Sequence, residues 1–161
     1  MNKKGLHLEI PGWGELRLTR ALFDLNGTLA LDGTLAETVK ARLERLQTIL
    51  AIHVVTADTR GTAADLIGVF DGLEIARIQA GDEAGQKCAL LEELGASNTV
   101  AFGNGANDAL MLRKACLGIC LMQGEGTSLQ AILASDVLVR NAEEGLDLLL
   151  QPARLIATLR K

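Results

Sequence analysis

The chain has 161 residues, 48% hydrophobic, 22% charged and only 2% aromatic, with a formal net charge of −4. That length suits a single domain spanning 1–161, one that buries about 70% of the surface its unfolded chain exposes, and so aliphatic a core suits parallel strands covered by helices. The acidic balance without a Lys/Arg cluster argues against a nucleic-acid partner. No run reaches the ~18 apolar residues of a membrane span, and the charged start "MNKKGLHLEI" is not followed by the apolar stretch of a signal peptide.

In chain order, the first element is an arm. Leu6, Leu8 and Ile10 alternate with polar residues, as do Leu16 and Leu18, on either side of the turn cluster "PGWG"; residues 5–19 therefore form a β-hairpin arm. The arm has two readings: with Trp13 at its tip it pairs across a homo-oligomer, or it folds onto its own sheet. Strands are expected at 20–25, 51–56, 73–78, 99–102, 117–121 and 137–139, with helical segments between them. The first helix carries a capping box, Thr34 with Glu37 three residues on, and then Leu35, Val39, Leu43, Leu46 and Leu50 at helical spacing. Thr127 is expected to cap the later helix "SLQAILA", and Pro152 to sit in the first turn of the last one. The alternation predicts an α/β fold, a three-layer, doubly wound, mainly parallel sheet of about six strands with the arm at its N-terminus and no cap domain.

Three cysteines, Cys88, Cys116 and Cys120, make no disulfide framework, and the lone C-x3-C lacks the further ligands of a zinc site. Free thiols in a reducing cytoplasm are the reading. In open α/β sheets, sites form outside the carboxyl ends of strands, and Asp24, Thr56 and Asn104 each lie at or just past such an end.

Each candidate has a structural alternative. Asp24, after "ALF" and before Gly27-Thr28, is either an Asx turn or cap, or a carboxylate nucleophile or magnesium ligand. Thr56 in "HVVTADTR" either just ends a strand or offers a hydroxyl and N–H to an anion. His53 in the same strand reads as a packed histidine and not a ligand. Lys87 is either a solvated helix residue or a phosphate partner. In "GNGANDALML", Asn107 and Asp108 fit helix caps, but two glycines, two amides and a carboxylate in six residues exceed what capping needs. Glycines there let the backbone approach a ligand closely.

Taken together, Asp24 with Thr28, Thr56, Lys87 and "GNGANDA" appear in the chain order of the haloacid dehalogenase superfamily, and the chain resembles its small, cap-less "soluble P-type ATPase-like" members. In P-type pumps the fourth motif reads G-D-G-x-N-D-A, and Gly103 to Ala109 differ from it at one position. The segment 117–139 is similar to the stretch after that motif in the pumps. The resemblance implies a magnesium-dependent phosphatase or phosphotransferase, a phosphoric-ester hydrolase, acting on a small phosphorylated molecule. Asp24 would attack phosphorus and become an aspartyl-phosphate. Asp24, the backbone carbonyl of Asn26, Asn104 and Asp108 would form the magnesium environment, and Thr28, Thr56, Lys87 and Asn107 would hold the phosphoryl group. Magnesium's preference for oxygen ligands suits this set, and phosphoryl transfer needs mainly positioning and charge stabilisation.

Two positions depart from the pattern. Family phosphatases carry a second Asp where Asn26 stands, and an amide cannot exchange protons near neutral pH; that implies slow turnover or a phosphate-holding protein. Asn104 replaces a magnesium-binding Asp, which implies weaker magnesium binding. The rival reading is therefore a catalytically weak regulatory protein that binds phosphate or a nucleotide, the latter through "GEGTS", residues 124–128, before a helix. Substrate identity is not legible, because cap loops usually set it.

Overall fold

The computed structural model describes residues 3–57, 61, 63 and 73–161. The helical reading of the segment between residues 56 and 73, and the Asp58–Arg60 end of "HVVTADTR", lie outside the described residues.

Alternating apolar residues make the arm a two-stranded antiparallel ribbon, β1 (Leu6–Ile10) and β2 (Gly14–Leu18). The apolar run 20–24 then enters the main sheet as β3 (Arg20–Asp24), joined by β6 (Ala51–Thr56), β7 (Glu74–Arg77), β8 (Thr99–Gly103), β9 (Leu117–Leu121) and β10 (Val137–Val139). The spatial order is β10-β9-β8-β3-β6-β7, and every neighbouring pair is parallel. This is the predicted three-layer doubly wound sheet of six strands. The chain leaves β3 toward β6 and β7, then returns to the other side of β3 with β8. The topological switch point, where ligand crevices open in such sheets, thus lies between the carboxyl ends of β3 and β8.

Strands buried on both faces must be apolar along their length, and Ala21, Leu22, Phe23, Val100, Ala101 and Phe102 are all buried. Odd and even residues supply different layers. Phe23 and Phe102 stack at 4.5 Å in a cluster with Leu43 and Leu46 of α1 (Glu37–Leu46), Leu146 of α5 (Ala142–Leu150) and Leu155 of α6 (Pro152–Leu159). Leu22 and Ala101 face the other way, against Leu91 of α2 (Glu83–Leu94), Met111 of α3 (Ala109–Lys114) and Ala131 of α4 (Leu129–Ala134).

The arm folds onto its own molecule, the second of its two readings. Ile10, Leu16 and Leu18 are buried in the first cluster, the backbone N–H of Lys161 donates to the Pro11 carbonyl (3.0 Å), and the Lys161 ammonium lies 5.9 Å from the Trp13 ring centre.

Three local expectations are corrected. Thr34 does not cap α1: it pairs in a two-residue strand, β5 (Thr34–Leu35), against β4 (Ala30–Leu31), and α1 begins after Ala36 without a side-chain cap. The Thr34/Glu37 spacing is overridden because this small antiparallel flap takes up the backbone just where the box would form. Helix α4 is capped by Ser128, whose hydroxyl accepts from the Gln130 N–H, while the Thr127 hydroxyl donates to the Leu121 carbonyl (2.7 Å). Strand β3 ends at Asp24 and not at residue 25, because the Leu25 carbonyl already turns the chain by accepting from Thr28 and Ala30. Pro152 opens α6 as predicted.

Leu18→Ala checks the packing of the arm. Because Leu18 is buried, the substitution is expected to cost about 2–5 kcal/mol in urea unfolding; an arm that stood free of the core would lose almost nothing.

Candidate active site

The polar strand ends do converge. Asp24, Asn26, Thr56, Ala57, Glu83, Lys87, Asn104, Gly105 and Asn107 line one pocket of about 320 Å³ at the switch point. Its floor is a buried ion triplet. The Lys87 ammonium, 2% exposed, donates to Asp24 Oδ1 (2.8 Å) and to Asp108 Oδ1 (2.7 Å). Lys87 is therefore not a solvated helix residue. Helix α2 directs it inward beside buried Cys88 and Leu91.

The glycine-rich turn after β8 holds the second carboxylate. Asp108 Oδ2 accepts the backbone N–H groups of Asn104 and Gly105, each at 2.9 Å. Both Asp108 oxygens thus accept from protein donors, so Asp108 fixes Lys87 and the turn. A side chain at position 103 would place its Cβ 2.5 Å from the Asp108 carboxyl carbon, which is why glycine stands there. Gly27, at φ +79° and with Asn104 atoms 2.7 Å from where a Cβ would be, is likewise required by the turn after Asp24.

The charges do not balance, and the imbalance falls on Asp24. Burial, then the nearby Asp108 charge, push its carboxyl up to about 7, against the opposing pull of Lys87 and Thr28. Burial lowers Lys87, but the charges of Asp24 and Asp108 outweigh it and hold the ammonium above its ordinary value. One ammonium shared by two buried carboxylates leaves an excess negative charge, which a divalent cation would offset.

The remaining candidates divide by what they already hold. The Thr28 hydroxyl reaches Asp24 Oδ2 and Asn104 Oδ1 only at 3.4 Å each. The Asn104 amide donates to the Gly126 carbonyl (2.9 Å). A carboxylate at 104 lacks that donor, so the amide at the motif's departing position clamps the loop 122–128. Gln123 of that loop also donates to the carbonyls of Gly27 and Thr28. The segment 124–128 is thereby spent on bracing the turn after β3, and the helix it precedes, α4, has six residues. Asn26 Oδ1 is buried with no hydrogen-bond partner, and no described residue donates to the Asn26 backbone carbonyl. His53 is a packed histidine: Nδ1 lies 3.0 Å from Glu74 Oε2, and burial lowers its pKa despite that carboxylate. Cys88 and Cys120 are buried and Cys116 is half-buried, all three as free thiols.

Sequence reasoning missed Glu83. It opens α2, lines the pocket, and its Oε2 accepts from Asn107 Nδ2 at 2.6 Å. The available signal was its spacing, one helical turn before Lys87 on the same face.

Among the described residues, no helix is long and apolar enough to cross a membrane. No protein-family model matches the chain. It is 42% identical over 92 residues, 55% of its own length and 99% of the relative's, to uncharacterized protein MJ0073 of Methanocaldococcus jannaschii. Its fold is similar to that of 3-deoxy-D-manno-octulosonate 8-phosphate phosphatase from Moraxella catarrhalis, solved in complex with magnesium, phosphate and KDO: TM-score 0.64, 20% identity, covering 89% of this chain and 94% of that one. A cobalt-bound deoxy-D-mannose-octulosonate 8-phosphate phosphatase from Haemophilus influenzae gives a TM-score of 0.64 at 12% identity, covering 83% and 88%. At such identities the likeness establishes a haloacid dehalogenase-type fold.

The raised Asp24 pKa sets a pH-dependent prediction. A carboxyl raised in the folded state favours folding while it is protonated, and that contribution is lost as pH rises through about 7. Metal-free Asp24→Asn cannot ionise there. It is expected to be more stable than the parent above pH 7, on the order of a few kcal/mol, with the advantage shrinking toward pH 4; thermal melts across pH in the presence of chelator measure it.

Proposed function

From a chain that belongs to one family with MJ0073 of Methanocaldococcus jannaschii and folds as the haloacid dehalogenase phosphatases do, we propose a divalent-metal-dependent phosphoric-ester hydrolase that works through an aspartyl-phosphate on Asp24. The observation that carries this reading is the Lys87 bridge between Asp24 and Asp108, buried at the switch point of the sheet.

Each group has a task its chemistry suits. Asp24 ends its strand facing the pocket, and its Oδ2 has only a long contact to Thr28, so that oxygen is the nucleophile or the metal-facing atom. Lys87 holds Oδ1, which fixes the carboxylate's rotation and neutralises part of the charge that gathers on the phosphoryl group. Thr56 and Asn107, both lining the pocket, hydrogen-bond the phosphoryl oxygens, with the Thr28 hydroxyl beside Asp24. Asp108 keeps Lys87 aimed. The residues present fit magnesium: Asp24, the Asn26 carbonyl and Asn104 offer hard oxygen donors around an excess negative charge. When bound, magnesium would supply electrostatic stabilisation of the phosphate oxygens. The substrate is a small phosphorylated molecule, bound from the open side of the sheet. Asn26 itself, being an amide, neither protonates a leaving group nor deprotonates water.

A small acyl phosphate with magnesium tests the reading. Label is expected on Asp24 alone by peptide mapping, and none on Asp24→Asn; label on another residue with Asp24 untouched overturns the assignment.

Asn104→Asp separates the two tasks of that residue. The added charge is expected to tighten magnesium binding, while the lost donor to Gly126 costs about 0.5–1.5 kcal/mol of stability. Calorimetric magnesium titration and urea unfolding read the two effects, and equal or weaker magnesium binding in the variant rejects Asn104 as part of the metal environment.

A further inference from the structure

The hydrolysis of an aspartyl-phosphate needs a base for water, and Asn26 is not one. We propose that Glu83 is that base, an inference that rests on the aspartyl-phosphate reading above.

Three observations place it. First, Asp24 and Glu83 are the carboxylates lining the pocket among the described residues. Asp24 is the nucleophile and is paired with Lys87, and Asp108 is spent on Lys87 and two backbone N–H groups. Glu83 is engaged by neither Lys87 nor the backbone of the glycine-rich turn. Second, α2 starts at Glu83, at the carboxyl edge of the sheet where the pocket opens, and Lys87 comes one turn later. Four residues of helix rise about 6 Å. The Glu83 backbone therefore stands about one turn nearer the pocket mouth than that of Lys87. An in-line attack on phosphorus bonded to Asp24 must come from the side opposite the Asp24 oxygen, which is this outer side. Third, the Glu83 carboxylate already accepts from Asn107 at 2.6 Å, so it is held beside a residue assigned to the phosphoryl oxygens.

The step balances without a further reactant. A water oxygen bonds to phosphorus as the bond between phosphorus and the Asp24 oxygen breaks. The water proton passes to the Glu83 carboxylate, Asp24 departs as a carboxylate, and inorganic phosphate leaves. Glu83 then returns its proton to solvent.

Glu83→Gln is the discriminating variant, because the glutamine oxygen still accepts from Asn107 and only the base is lost. The full-length protein, loaded with an acyl phosphate and magnesium, is chased and its Asp24-bound phosphate measured by quench. Glu83→Gln is expected to reach the same labelling level as the parent and to lose the label about 10²-fold or more slowly, within the range general bases contribute. Asn26→Asp added to Glu83→Gln is expected to restore the rate, which a merely structural defect would not allow. Loss of label at the parental rate in Glu83→Gln overturns Glu83 as the base. A parent protein that takes no label at Asp24 overturns the aspartyl-phosphate reading itself, and the two failures are told apart by the labelling step that precedes the chase.

Discussion

One buried ammonium between two carboxylates organises this molecule. Lys87 can be taken out of water only because Asp24 and Asp108 receive it, and Asp108 can be buried only because its other oxygen takes two backbone N–H groups. Removing Lys87 leaves two carboxylates without their shared counter-ion in a low-dielectric interior, the costliest kind of lost contact. The three residues come from three separate elements: the end of β3, the first turns of α2 and the turn after β8. Their mutual attraction therefore fixes the relative position of those elements at the mouth of the sheet. The apolar layers beneath supply the rigidity. Phe23 and Phe102, at the carboxyl ends of β3 and β8, are stacked against each other and covered by α1 and α5.

The triplet is unequal in charge. Asp108 accepts from three donors, whereas Asp24 has one ammonium contact and a long hydroxyl contact, and burial, then the Asp108 charge, raise its pKa to about 7. A carboxylate under that strain is relieved by a cation or by bonding to an electrophile, and both are what a phosphoryl-transfer site requires. Strain at the site is tolerated because the two hydrophobic clusters hold the strands on both faces.

The two amides that depart from the phosphatase pattern have different physical meanings. Asn104 serves the fold: its amide hydrogens reach Gly126, and the loop so clamped braces Gly27 and Thr28 through Gln123. Asn26 serves no such purpose among the described residues, since its side-chain oxygen is buried without a partner. On the proposed aspartyl-phosphate reading, an amide there supplies no proton-transferring group, which is why Glu83 in the pocket lining is consequential.

The parallel sheet and the convergence of Asp24, Thr56 and Asn104 were legible in the sequence, because strand hydrophobicity and the carboxyl-end rule depend on local pattern and on chain direction. Pro152 at a helix start was legible for the same reason: proline's backbone preference is local. The capping box at Thr34 was not reliable, because a tertiary flap competed for the same backbone. The side on which the arm packs was undetermined, since an amphipathic ribbon has one apolar face whether the surface it covers is its own or another's. Whether Lys87 was solvated or buried could not be read from its helix, where cationic residues mostly face water; that was decided by carboxylates 63 positions before it and 21 after it. Glu83 entered the site only through that same rotation of α2. The sequence by itself determined which residue types stand at the strand ends, because periodicity and turn chemistry act over a few residues. The tertiary structure alone decided which of them share a charge, because Coulombic pairing depends on distance in space and on exclusion of water, and neither is written in the spacing along the chain.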